Sequence, residues 1–177
     1  MWLSEEELGV LSEHDVAIAY NPASNLFLGE KILDLPHLWQ KGIRVGIATD
    51  GAASNNGLSV VRDIRLASLA QRLLKRNPQA ITVHQLINLL TEDGGRVLRQ
   101  SVGRLESGYR ADFVVLNTLD FSLQPVDMLK SNIVHAISDR AISHVFVGGR
   151  QVVRDGKLVL VDQDELAKRV ARATARG

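Results

Sequence analysis

The sequence predicts an α/β protein that passes into a small β module. Two observations carry this. Up to about residue 100, helical and strand-like segments alternate, the grammar of a parallel sheet or barrel; beyond it, short β-branched runs are separated by Gly-containing turn signals.

The elements follow in order. Ser4 and Glu7 have the spacing of a capping box, and Leu3, Leu8, Val10 and Leu11 give the first helix an apolar side. Val16 to Tyr20 is a mostly apolar run stopped by Asn21-Pro22, which predicts a buried strand ending in a loop. A helix over Leu35 to Lys41 ends at Gly42. Ile43 to Thr49 is β-branched and stops at Asp50-Gly51, with a polar loop from Ala52 to Gly57. Val61, Ile64, Leu66, Leu69 and Leu73 recur at helical spacing within Leu58 to Leu74, before Asn77-Pro78. Two further helices are expected at Thr82 to Leu90 and Arg96 to Gln100, joined through Gly94-Gly95.

In the second part, Asp112 to Leu116, Ile142 to Val147 and Gln151 to Val153 read as strands, with Gly148-Gly149 as a hairpin turn. Asp155-Gly156 leads into Leu158 to Val161, and a closing helix runs from about Asp164 to Ala175.

Composition excludes several classes. Hydrophobic residues are 45% of the chain, and 21 basic groups stand against 20 acidic ones, so neither disorder nor a nucleic-acid partner is expected. Lys168, Arg169, Arg172 and Arg176 form the one local basic cluster, and their Ala-rich setting reads as a solvated helix. The absence of cysteine leaves His, Asp and Glu as the available metal ligands and fits a reducing cytoplasm. No apolar run approaches the ~20 residues that span a bilayer, so no membrane partner is expected.

Asp50 is the residue with the clearest chemical position. An acidic group at the carboxyl end of an apolar parallel strand sits where α/β barrels open their active-site mouth. Such an Asp can equally fix its own Gly-rich turn or cap the next helix.

The surrounding words add a resemblance. Tyr20-Asn21-Pro22-Ala23-Ser24-Asn25-Leu26, then Gly42 through Asn56, Arg65-Leu66-Ala67, and Gly103-Arg104-Leu105-Glu106-Ser107-Gly108-Tyr109-Arg110-Ala111-Asp112 resemble the metal-dependent amidohydrolases that include cytosine, guanine and methylthioadenosine/S-adenosylhomocysteine deaminases and chlorohydrolases. The resemblance covers about Trp2 to Leu160. It implies a fold made of the C-terminal part of a (β/α)8 TIM barrel plus part of a composite β-sandwich. Residues 1–101 would be the last barrel strands and helices, 102–161 the sandwich share, and 162–177 a closing helix.

By the same resemblance Asp50 ends barrel strand eight, binds a divalent metal, zinc in this family, and takes the proton of the attacking water. The implied function is hydrolysis of a C–N bond in a cyclic amidine, first of all adenosine-type deamination of a purine nucleoside. Chlorohydrolase and guanine or cytosine deaminase chemistry are the alternatives.

The family's His-x-His pair and its further histidine ligands find no counterpart among His14, His37, His84, His135 and His144. His14 is expected in a turn, His37 and His84 in helices, and His135 and His144 in the β region. Tyr20 stands where the family often has His. Asn21, Ser24, Asn25, Ser54 and Asn56 are expected either to line the mouth or to cap loops.

These gaps keep a second class open, an inactive fragment or assembly module. Met1 to Glu6 resembles the segment just after the family's sixth-strand histidine. On that ground the chain is expected to self-associate or to pair with a missing N-terminal part. Val45, Ile47 and Ala48 are expected to need cover from protein that this sequence does not supply, or to line an exposed apolar groove.

Overall fold

Helix α1 (Glu5–Glu13) begins at Ser4, whose hydroxyl accepts from the Glu7 amide while the Glu7 carboxylate accepts from the Ser4 amide. The reciprocal pair satisfies two of the amides that a helix start leaves open. The computed structural model describes residues 3–175; Met1, Trp2, Arg176 and Gly177 lie outside the described residues.

Strand β1 (Ile18–Tyr20) is followed at once by helix α2 (Pro22–Phe27). Asn21-Pro22 therefore starts a helix and does not open a loop, because Pro at the first helical position has its φ preset and loses no intrahelical bond. Helix α3 (Leu35–Gln40), strand β2 (Val45–Ile47) and the short helix α4 (Ala52–Asn55) come next, the last within a segment expected to be loop. Helices α5 (Val60–Lys75), α6 (Val83–Leu90) and α7 (Glu92–Leu98) complete the first part.

Gly94 and Gly95 lie inside α7, against the expectation that they would join two helices. The reason is close packing. A Cβ on Gly95 would stand 2.6 Å from the Val102 carbonyl oxygen, and one on Gly46 of β2 would stand 3.5 Å from the Gly94 Cα. Small residues let the helix backbone approach the strand and the returning chain.

Strands β1 and β2 pair in parallel, Ile18 with Val45 and Tyr20 with Ile47, and they form a two-stranded sheet. Alternation puts Ile18, Tyr20, Val45 and Ile47 on one face. That face meets Leu8, Leu35, Leu38, Ile64, Leu86 and Leu89 from the helices in a single apolar core. Burying a side chain of this size stabilises by ~1.5–3 kcal/mol.

Val45 is 2% exposed, so the expectation that it needs outside cover is wrong. Ile47 packs against the same core. Both residues face this chain's own helices. The opposite face carries Ala19, which is exposed, with Gly46 and Ala48.

The second part is a four-stranded antiparallel sheet in the order β3 (Phe113–Leu116), β4 (Ile142–Val147), β5 (Arg150–Arg154) and β6 (Lys157–Leu158). Phe113 and Phe146 are register partners whose rings stack at 4.5 Å. Helix α8 (Leu129–His135), which periodicity did not announce, precedes β4. It carries His135, expected in the β region. Helix α9 (Gln163–Thr174) is exposed along its length, as its basic, Ala-rich composition predicts.

Candidate active site at the end of strand β2

Asp50 stands just beyond the carboxyl end of β2, where the ladder closes with the Ala48 amide donating to the Tyr20 carbonyl at 2.8 Å. Its backbone is left-handed, φ +62°, which turns the chain sharply out of the strand. The side chain is exposed but anchored. The hydroxyl of Ser24, a buried residue of α2, donates to Oδ2 at 2.7 Å, and the Gly51 amide donates to Oδ1 at 2.7 Å.

The bond from Ser24, then that from Gly51, and then Ser54 hold the Asp50 carboxyl below the usual carboxylate range. Hydrogen bonds of this kind favour the ionised form. Asp50 is thus an anion at neutral pH, with lone pairs still open to solvent.

Around it the loop is tied down. Asn55 Nδ2 donates to the Thr49 carbonyl at 2.7 Å and to Asp63 Oδ2 at 3.1 Å. Asp63, in the first turn of α5, is 1% exposed, and burial raises its pKa against the pull of the Asn55 bond. Ser54 donates to the Gly51 carbonyl. Asn21 Nδ2 reaches the Ala19 carbonyl at 3.4 Å, while its Oδ1 is buried and has no partner among the described residues.

The histidines do not gather here. His14 caps α1 through the Val10 carbonyl, His37 meets Glu5 at 2.8 Å, and His144 on β4 meets Gln151 at 3.2 Å. Burial, then Arg72 and Arg65, push the His135 pKa down. Among the described residues no group of three or more His, Cys, Asp or Glu side chains could hold a metal ion. Asp50 offers one donor where protein metal sites use three or more, so the described residues do not by themselves fit a zinc ion.

Sequence reasoning placed Asp50 and listed Ser24 and Ser54 only as loop-capping or mouth-lining candidates; it gave Asn55 no role and missed Asp63. The signal for the pair was an amide in the turn and a carboxylate eight residues later, at the start of an amphipathic helix.

Two adjacent parallel strands with flanking helices, and an acidic residue at the strand ends, make an α/β arrangement with a carboxylate at the carboxyl edge of its sheet. Residues 1–152 match the Amidohydrolase family, and the chain belongs to that family.

Among curated relatives, the chain is 37% identical over 167 residues to a 5'-deoxyadenosine deaminase of Methanopyrus kandleri, covering 94% of this chain and 39% of that protein. It is 36% identical to a 5-methylthioadenosine/S-adenosylhomocysteine deaminase of Bacillus cereus, over 96% of this chain and 40% of that one. The chain thus spans about 40% of the length of such relatives.

Among solved structures, the fold superposes on a zinc-bound adenosine deaminase from Xanthomonas campestris with a TM-score of 0.91 at 24% identity, covering 98% of this chain and 40% of that one. It superposes on the zinc complex of the atrazine chlorohydrolase TrzN from Arthrobacter aurescens with a TM-score of 0.85 at 31% identity, covering 99% of this chain and 39% of that one. No helix among the described residues is long and apolar enough to cross a membrane.

Proposed function

We propose that these residues are the C-terminal share of a metal-dependent deaminase of the adenosine type, with Asp50 as a metal ligand and as the group that moves the proton. Residues 1–101 contribute the last barrel strands and helices, 102–161 part of a sandwich, and 162–177 a closing helix. The observation that carries the reading is the Asp50 carboxylate, exposed at the carboxyl end of a parallel strand and kept ionised by Ser24 and Gly51.

In hydrolytic deamination water adds to the ring carbon that bears the amine, a C–O bond replaces the C–N bond, and ammonia leaves. Asp50 accepts the water's proton and gives a proton to the departing amine. A divalent metal, when bound, supplies activation of the water. The other donors would come from polypeptide outside these 177 residues. A 5'-modified adenosine is the favoured substrate because the similar curated proteins are named as 5'-deoxyadenosine and 5-methylthioadenosine/S-adenosylhomocysteine deaminases.

The test uses the full-length enzyme that contains this chain, with ammonia release measured on methylthioadenosine and 5'-deoxyadenosine and chloride release measured on a chlorinated triazine. Asp50→Asn should lower kcat by ~10²-fold or more, the typical range for a lost general base. Turnover of Asp50→Asn at the parent rate sinks the assignment. Turnover of the triazine in place of the nucleosides moves the substrate to the chlorohydrolase class.

A further inference from the structure

Asp63 is a buried carboxylate for which the reaction above has no use. It is 1% exposed, it has no salt bridge among the described residues, and its side-chain partner is Asn55. Burying a carboxylate without a cation is costly. Its place in the fold gives the reason.

The loop after β2 is conformationally expensive. Asp50 has φ +62° and Asn56 has φ +61°, both non-glycine residues in the left-handed region. Such conformations persist where surrounding contacts over-determine them. Asn55 is the bridge: its amide group donates to the Thr49 carbonyl, one residue before Asp50, and to both oxygens of Asp63, at 3.1 and 3.4 Å.

An Asn side chain has two amide hydrogens, and the carboxylate aims one of them so that the other meets the carbonyl. Asp63 in turn sits on α5, one residue before Ile64, which is fully buried in the core. A rigid helix is thereby coupled to the peptide that carries Asp50.

We propose that Asn55 and Asp63 are positioning residues, a clamp of a half-buried amide on a buried carboxylate that fixes the Thr49–Asp50 peptide and so aims the Asp50 carboxylate. The clamp acts on the peptide, whereas Ser24 and Gly51 hold the carboxylate itself. The proposal rests on the reading of Asp50 as the proton-handling group. Its chemistry requires an acceptor at position 63, not a charge, so Asp63→Asn retains function where Asp63→Ala does not.

The experiment compares Asn55→Ala, Asp63→Ala, Asp63→Asn and the reference Asp50→Asn in the full-length enzyme. Misplacing a reacting group by about 1 Å costs up to ~10²-fold in rate. Asn55→Ala and Asp63→Ala should therefore lower kcat by roughly 10- to 100-fold with KM within about twofold, and Asp63→Asn should stay within about threefold of the parent. Amide hydrogen exchange read by mass spectrometry should speed up across residues 50–56 in Asn55→Ala and stay unchanged in the core half of α5.

If Asp50→Asn abolishes turnover while Asn55→Ala keeps the parent kcat, the clamp is overturned and the reading of Asp50 stands. If Asp50→Asn keeps turnover, that reading fails, and the exchange data decide the clamp by themselves: unchanged exchange at residues 50–56 overturns it. Should Asp63→Ala fail to fold, Asn55→Ala carries the test, because its side chain lies in a short solvent-side helix.

Discussion

Two Gly→Ala substitutions in this chain should act in opposite directions, and their difference tests the close packing between the two parts of the fold. Gly103 lies in the Gly103-Arg104-Leu105 stretch where the chain leaves the helices for the sheet. Its φ is +90°, and an added Cβ would meet the Thr91 carbonyl carbon and oxygen at 2.6 Å and the Glu92 amide nitrogen at 2.8 Å. Carbon atoms rest at ~3.5–4.0 Å, so backbone must move by most of an ångström.

The strained φ costs ~1–3 kcal/mol, and overpacking against rigid backbone adds a similar amount. Gly103→Ala should thus destabilise by about 3–5 kcal/mol, in the range reserved for packing failures. Gly9, in the middle of α1, has nothing within 4 Å of its missing Cβ and no positive φ. Gly9→Ala should stabilise by about 0.5–1 kcal/mol through helix propensity.

Urea unfolding of the 177-residue chain, followed by far-UV circular dichroism, measures both. With m near 1–3 kcal/mol/M, the two midpoints should differ by more than about 1 M. A Gly103→Ala midpoint equal to that of Gly9→Ala would refute the packing argument.

Three further outcomes are expected. Tyr20 is 2% exposed and its pKa is pushed up to about 12, mainly by burial. A raised pKa means that the folded state holds the proton longer than the unfolded one. Its contribution, on the order of 2–3 kcal/mol, is present below pH 10 and lost as pH climbs toward 12. Stability curves of the chain and of Tyr20→Phe should converge on this point, the variant lacking that alkaline fall. The isolated chain should hold less than one equivalent of zinc after dialysis, by elemental analysis, since Asp50 is one donor; a tight stoichiometric site would contradict this. Strand β1 has one partner, β2, within its sheet, and Ala19 on its far face is exposed, so sedimentation should show dimers, larger species or precipitation. A stable monodisperse monomer would count against the exposed-edge argument.

What the sequence announced, it announced through short-range physics. Ser4-x-x-Glu7 and the β-branched run before Asp50 specify their own local structure, and the apolar spacing in Leu58 to Leu74 matches α5 within two residues at its start and one at its end. Gly148-Gly149 is a turn because both residues take positive φ. The misreadings came from long-range packing. Gly94-Gly95 resembles a breaker pair until the Val102 carbonyl and Gly46 are brought against it, and α8 has too short an apolar pattern to stand out from the loops around it. Val45 needs no outside cover because this chain's own helices cover its face, and the position of a strand residue along the chain gives its parity but not which side the helices cover.

The same division explains the site. The place of Asp50 at the end of β2 was legible from the β-branched run before it, and its reading as a metal ligand came from the family resemblance. Asn55 and Asp63 were not, since each alone is an ordinary polar residue, in a turn and in a first helical turn where acids are favoured anyway. Their meaning lies in a part-buried contact across eight residues, at 3.1 Å, that links a loop in strained conformation to a helix in the core. On the proposed reading of Asp50, a contact that sets where its carboxylate points extends the sequence constraint on activity to Asp63, a residue 1% exposed. Asp63 then tolerates substitution by side chains that can accept a hydrogen bond in the same place, and not by those of equal volume that cannot. Two replacements that share the γ-branch of Asp63 therefore test positioning: Asp63→Asn keeps an acceptor and the rate, whereas Asp63→Leu sets bulkier methyl groups in place of both oxygens and, by this reasoning, loses the rate.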